Sequence, residues 1–206
     1  LDGTVRKLLN SVRYWMFRLY VRTHYKKSKL HNFTYNSNSW KLTAEEIIQT
    51  IPFKPDIIFL HWIADFLTPE LIEALHRQYQ CPIIWRYNDL APATGGCHYL
   101  AGCDHYLTGC GKCPALGSQN SYDWSRQFWL KKAKIFPSLP IDIVNSTHHT
   151  EAVFKASPLF KEKAQHFIRN SLSQDVYNFS NDKPNQREEL CLPLNKKILF
   201  WGATHI

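Results

Sequence analysis

The chain has 206 residues, 44% of them hydrophobic and 20% charged, with a formal net charge of +8. This is a globular composition, large enough for one ordinary domain with some excess, and it excludes disordered, collagen-like and disulfide-scaffold chains. No apolar run is long enough to cross a bilayer as a helix.

The chain opens Leu1-Asp2-Gly3 without Met and stops just after the apolar run Ile198-Leu199-Phe200-Trp201. A strand beginning there needs a sheet to join, so the sequence reads as a fragment cut at both ends.

The positive charge is concentrated at the start. Residues 1–31 hold eight Lys and Arg against the single acid Asp2, which leaves the rest of the chain nearly neutral. Val5, Leu8, Leu9, Val12, Trp15, Met16 and Leu19 fall on one face of a helix, with arginines opposite. Such a helix packs on the core of its own domain or lies on an anionic membrane surface. No nucleic-acid-binding motif accompanies the charge, so nucleic acid is not an expected partner.

After an Asn- and Ser-rich stretch, Thr43-Ala44-Glu45-Glu46 forms a capping box that predicts a short helix through Ile51. Asp56 to Trp62 is apolar on both faces, the pattern of a buried parallel strand. Thr68-Pro69-Glu70 starts a helix that runs to Tyr79, and Ile83 to Tyr87 is the next strand. Six of the eight glycines then lie between Gly95 and Gly117. Ser121 to Ile135 predicts a basic helix, Ile141 to Asn145 a strand and Thr147 to Lys155 a further helix. This alternation predicts an α/β fold with a Rossmann-like, open parallel sheet covered on both faces. Ligands of such sheets bind at the carboxyl ends of strands. Those ends are His61-Trp62, Asn88-Asp89 and Asn145-Ser146.

Cys97, Cys103, Cys110 and Cys113 lie within 17 residues, and the last two form a C-x2-C knuckle with glycines around it. Three states suit this pattern. They are a closed structural Zn²⁺ site, reduced free thiols, or two disulfides in an oxidising compartment. A redox-active pair is disfavoured because Pro114 to Gly117 reads as loop, not as a helix start. Cys81 and Cys191 stand apart and read as core residues.

Several segments resemble bacterial family 4 glycosyltransferases of the GT-B fold that build cell-surface polysaccharides. Asp56-Ile57-Ile58-Phe59-Leu60-His61-Trp62 is similar to their D-I-I-H-L-H-W strand, with Phe59 in place of the first His. Thr94-Gly95-Gly96-Cys97-His98-Tyr99 matches their T-G-G-C-H-Y loop throughout. Gly109-Cys110-Gly111-Lys112-Cys113-Pro114 and Ser157-Pro158-Leu159-Phe160-Lys161 extend the likeness.

The resemblance implies an acceptor-side Rossmann-like domain over residues 32–170, with the cysteine loop at 94–117. Residues 171–206 would be the inter-domain linker and the first strand of a donor domain. It implies transfer of a sugar, of hexosyl type, from a nucleotide-sugar donor to a glycan or polyprenyl-linked acceptor. No cofactor is required, and any zinc would be structural. A cytoplasmic location is implied, peripheral on the inner membrane face. This fragment alone would be inactive without its donor domain. Asp89, Asn88 and His61 are the implied catalytic candidates, with Trp62, Thr94, Gly95 and Gly96 as substrate contacts. Gly95-Gly96 would offer backbone N–H groups to an anion or, equally, only turn the chain into the cysteine loop. Asn88 stands where the family carries an active-site His, and an amide cannot titrate near neutral pH. That departure opens a second reading, a non-catalytic binding module or decayed transferase.

Overall fold

In the computed structural model, residues 12, 15, 16, 19, 23, 33–34, 42–64, 66–175 and 183–199 are described. Each helix of the α/β body starts at a side chain chosen for the purpose. Thr43 Oγ1 accepts the Glu46 N–H at 3.2 Å while the Glu46 carboxylate accepts the Thr43 N–H at 2.8 Å, and α1 (Ala44–Gln49) follows. Thr68 and Pro69 open α2 (Pro69–Tyr79), which ends on Gln80 in the left-handed conformation. Asp123 caps α3 (Trp124–Ile135), two residues beyond the expected start at Ser121. Thr147 caps α4 (His148–Ala156).

The strands β1 (Ile58–Leu60), β2 (Ile83–Tyr87), β3 (Ile141–Asn145) and β4 (Gln165–Phe167) form one parallel sheet. Their spatial order is their order in the chain, and β4 has no counterpart among the expected strands. Leu60, Trp85, Ile143 and Gln165 lie in line across the sheet, and Phe59, Ile84 and Asp142 form the adjacent row on the opposite face.

The first row belongs to the core. Leu60, Ile83, Trp85, Tyr87, Ile141 and Ile143 pack with Ile72 and Leu75 of α2, Ile135 of α3 and Phe154 of α4. Strands that advance in one direction by right-handed crossovers put all their helices on the same side. The expectation of cover on both faces is therefore corrected for the described residues. Phe59 is 54% exposed, and Asp142 and His166 form an exposed ion pair on the other face. Within the run Asp56 to Trp62, apolar from Ile57 to Leu60, only Ile58 to Leu60 pairs as strand, and it buries one side.

The chain divides into two compact units between Arg169 and Asn170. In the second, α5 (Lys183–Glu189) is followed by a hook in which Arg187 donates to the carbonyls of Pro193, Leu194 and Lys196. Ile198 and Leu199 do not form the expected strand, because no described residue offers them a ladder partner. Phe200 and Trp201 lie outside the described residues. Cys191 is exposed, not a core residue, whereas Cys81 is buried.

Most of residues 1–31 also lie outside the described set. Val12, Trp15, Met16, Leu19 and Thr23 are helical, and the four apolar ones are each about half or more exposed. The reading in which this face packs on the domain's own core is thereby corrected at those four positions.

Candidate functional site

A cleft of about 530 Å³ opens at the carboxyl ends of β1 and β2. His61, Trp62, Asn88 and Asp89, predicted at those ends, all line it. His61 is exposed, with its ring 4.3 Å from that of Phe59. Trp62 is 60% exposed and meets the edge of His98 at 5.3 Å, leaving most of the indole open. Asn88 sits exposed on the rim.

Asp89 is half-buried and serves two directions. Its Oδ1 accepts the Ala91 N–H at 2.8 Å, a local turn that starts the 3-10 segment Ala91–Ala93. Its Oδ2 takes no hydrogen bond from the described residues. Burial raises the carboxyl above the ordinary range, against the opposing pull of the Ala91 N–H, His98 and Lys132.

Lys132 is the residue that sequence reasoning missed. It is fully buried on α3, and its Nζ donates to the carbonyls of Ala91 at 2.7 Å and Thr94 at 2.9 Å. Burial pushes the ammonium down to about 8. In the fold Lys132 shares the buried stripe of α3 with Ser125 and Ile135, which one lysine among several on a basic helix does not announce in the sequence. At the strand ends Tyr87 Oη and Asn145 Oδ1 are buried and find no hydrogen-bond partner among the described residues. Tyr87 and Asn145 are register partners on β2 and β3. Asn145 does not line the cleft; its amide donates to Gln165 at 3.1 Å.

Thr94, Gly95 and Gly96 are not part of the cleft lining. The expectation that the two glycines present N–H groups to an anion is corrected, since both groups are used internally. Gly95 N–H donates to Cys110 Sγ at 3.1 Å and Gly96 N–H to Thr94 Oγ1 at 3.0 Å. Close packing explains why these positions hold glycine. A Cβ on Gly95 would stand 2.4 Å from the Ser125 carbonyl oxygen. Gly96 has φ +132°, and Thr34 donates its N–H to the Gly96 carbonyl at 2.7 Å.

Beneath this turn Cys97, Cys103, Cys110 and Cys113 line a second cavity of about 280 Å³. Burial pushes the Cys110 thiol up to about 12, against the pull of the Gly95 N–H and Lys132. All four are free thiols in this structure. Among the described residues no three His, Cys, Asp or Glu side chains stand in a ready-made metal-ligand arrangement. The loop is anchored to the start of α3. Asp123 Oδ2 accepts the Cys113 N–H at 2.8 Å, and Ser125 Oγ accepts the Gly111 N–H at 2.9 Å.

The fold and site define an α/β domain with a four-stranded parallel sheet and, at its carboxyl edge, a largely apolar cleft that also carries His61, Asn88 and Asp89. Compared with known proteins, the chain matches no family model, no curated protein and no solved structure. Among the described residues no helix is long and apolar enough to cross a membrane.

Proposed function

We propose that the chain is the acceptor-side domain of a GT-B glycosyltransferase that acts in cell-surface polysaccharide assembly. One observation carries the reading: Trp62 and Asp89 flank a single cleft at the strand ends of a parallel sheet. An open indole stacks on the apolar face of a sugar ring, and a carboxylate oxygen beside it takes a hydroxyl proton in a hydrogen bond.

In this reading Asp89 Oδ2 orients the acceptor hydroxyl, while Ala91 N–H fixes the carboxylate through Oδ1. Lys132 holds the Ala91 and Thr94 carbonyls and so keeps the Asp89 turn in place. His61 and Asn88 supply further hydrogen bonds from the rim. The sugar donor is a nucleotide sugar, and catalysis rests on positioning and on donors aimed at the leaving phosphate. The exposed Trp15 and Leu19, within a strongly basic segment, suit an anionic membrane surface on which a polyprenyl-linked acceptor lies.

The test is acceptor binding by this chain. Polyprenyl-diphosphate-linked oligosaccharides are titrated while tryptophan fluorescence and the indole NMR signals are followed. Saturable binding that weakens at least about tenfold in Trp62→Ala and Asp89→Ala supports the reading, as expected for the loss of about 1.4 kcal/mol or more. Absence of binding to any such glycan would overturn it.

Asn88 favours one alternative, a binding module without transferase activity, because an amide replaces the titratable imidazole of the resembling family. Glycan binding by this chain together with no sugar transfer by the full gene product would select that alternative.

A further inference from the structure

We infer that Cys97, Cys103, Cys110 and Cys113 hold one structural Zn²⁺ as a tetrathiolate, with the buried Lys132 as its countercharge. The inference does not depend on what the cleft binds.

Three independent features point to it. The first is convergence: four cysteines spread over 17 residues line one cavity of about 280 Å³. Six cysteines are present in the chain, and the two outside the loop, Cys81 and Cys191, lie elsewhere.

The second is a backbone donor. Gly95 N–H reaches Cys110 Sγ at 3.1 Å. A neutral thiol gains little from such bonds, whereas a thiolate gains much, since charge-assisted bonds are roughly twice as strong. The backbone adopts left-handed conformations at Cys110, Gly111 and Lys112 to complete this knuckle, two of them at non-glycine residues.

The third is charge. Lys132 is a fully buried cation that donates only to two neutral carbonyls. An ammonium taken out of water needs an anionic partner. The Thr94–Gly95 peptide links it to the loop sulfurs, its carbonyl accepting from Lys132 Nζ at 2.9 Å and its N–H donating to Cys110 Sγ at 3.1 Å. Zinc with four thiolates carries a net charge of −2, and a cation beside it offsets part of that.

Binding converts four Cys thiols and Zn²⁺ into four Zn–S bonds and releases four protons to solvent, with no change of oxidation state. The sulfurs of all four cysteines together close the tetrahedral shell. Disulfide formation is the competing chemistry and would need an external oxidant.

The experiment uses the whole 206-residue chain, produced with zinc present and purified under reducing conditions. Elemental analysis is expected to give about one zinc per chain, and exchange with Co²⁺ to give the intense visible bands of tetrahedral cobalt thiolate. Cys97→Ser and Cys110→Ser lose the metal, and Cys81→Ser and Cys191→Ser keep it. Lys132→Met lowers zinc affinity by roughly 10-fold, the low end of outer-shell effects; unchanged affinity would remove the countercharge from the inference.

Because a ligand variant can fail to fold, alkylation mapping on the unaltered chain gives a second readout. The four loop cysteines are expected to be protected until a chelator is added. Metal-free protein whose loop thiols react equally with and without chelator would overturn the inference, as would a Cys97–Cys113 disulfide in protein carrying no zinc.

Discussion

Gly95→Ala tests the close contact between the strand-end loop and α3. The added Cβ meets the Ser125 carbonyl oxygen at 2.4 Å and its carbonyl carbon and Cα at 2.8 Å. All three are backbone atoms, so no side-chain rotation relieves the clash. Relief requires the loop and the first turn of α3 to separate by about 1 Å to reach ordinary contact distance. Two buried bonds span that seam, Gly111 N–H to Ser125 Oγ and Cys113 N–H to Asp123 Oδ2. Overpacking of this kind costs about 1–3 kcal/mol and each weakened bond about 1 kcal/mol. The expected destabilisation is therefore about 2–5 kcal/mol. Urea unfolding monitored by tryptophan fluorescence measures it, with an unchanged m-value showing that the native state alone is affected. A loss below about 0.5 kcal/mol would refute the reasoning, since that is the range of surface substitutions.

Asp89→Asn changes the pH dependence of stability. Burial raises the Asp89 carboxyl above its ordinary value of 3.8, so in acid the folded chain holds this proton more tightly than the unfolded chain. Stability contributed by this group falls as pH rises from about 3.8 through the raised value, and the variant lacks that slope; parallel curves of wild type and variant would contradict the assignment. Trp85→Ala removes a side chain 2% exposed at the centre of the sheet, in edge contact with Phe136 at 5.5 Å. It is expected to cost about 3–5 kcal/mol in the same unfolding assay. Trp15→Ser together with Leu19→Ser is expected to abolish sedimentation with anionic phospholipid vesicles while leaving the thermal transition unchanged. Retained sedimentation would place any membrane contact elsewhere.

Local sequence determined the elements themselves. Thr43, Thr68 and Thr147 each combine a hydroxyl cap with an immediately following helix, and this chemistry acts within four residues. The strands Ile83–Tyr87 and Ile141–Asn145 were legible because their apolar runs are short and bounded by proline or polar residues. The strand-end residues His61, Trp62, Asn88 and Asp89 followed from the general position of ligands in parallel sheets, and they line one cleft.

What required the tertiary structure is of longer range. An apolar strand such as Asp56 to Trp62 does not state which side is covered; the one-way strand order decides that, by placing the packed helices on a single face. Gly95 and Gly96 read equally well as an anion cradle or a tight turn. The positions of Cys110 and Ser125, 15 and 30 residues later, show that the Gly95 N–H is spent and its Cβ position filled, and Phe33 and Thr34 fill that of Gly96. Lys132 reads as one more surface lysine on a basic helix until Ala91 and Thr94, some 40 residues earlier, are found at its Nζ. Sequence patterns record the local preferences of the backbone and the periodicity of burial. The partner of a particular polar atom is fixed by chain segments that meet only in the folded state.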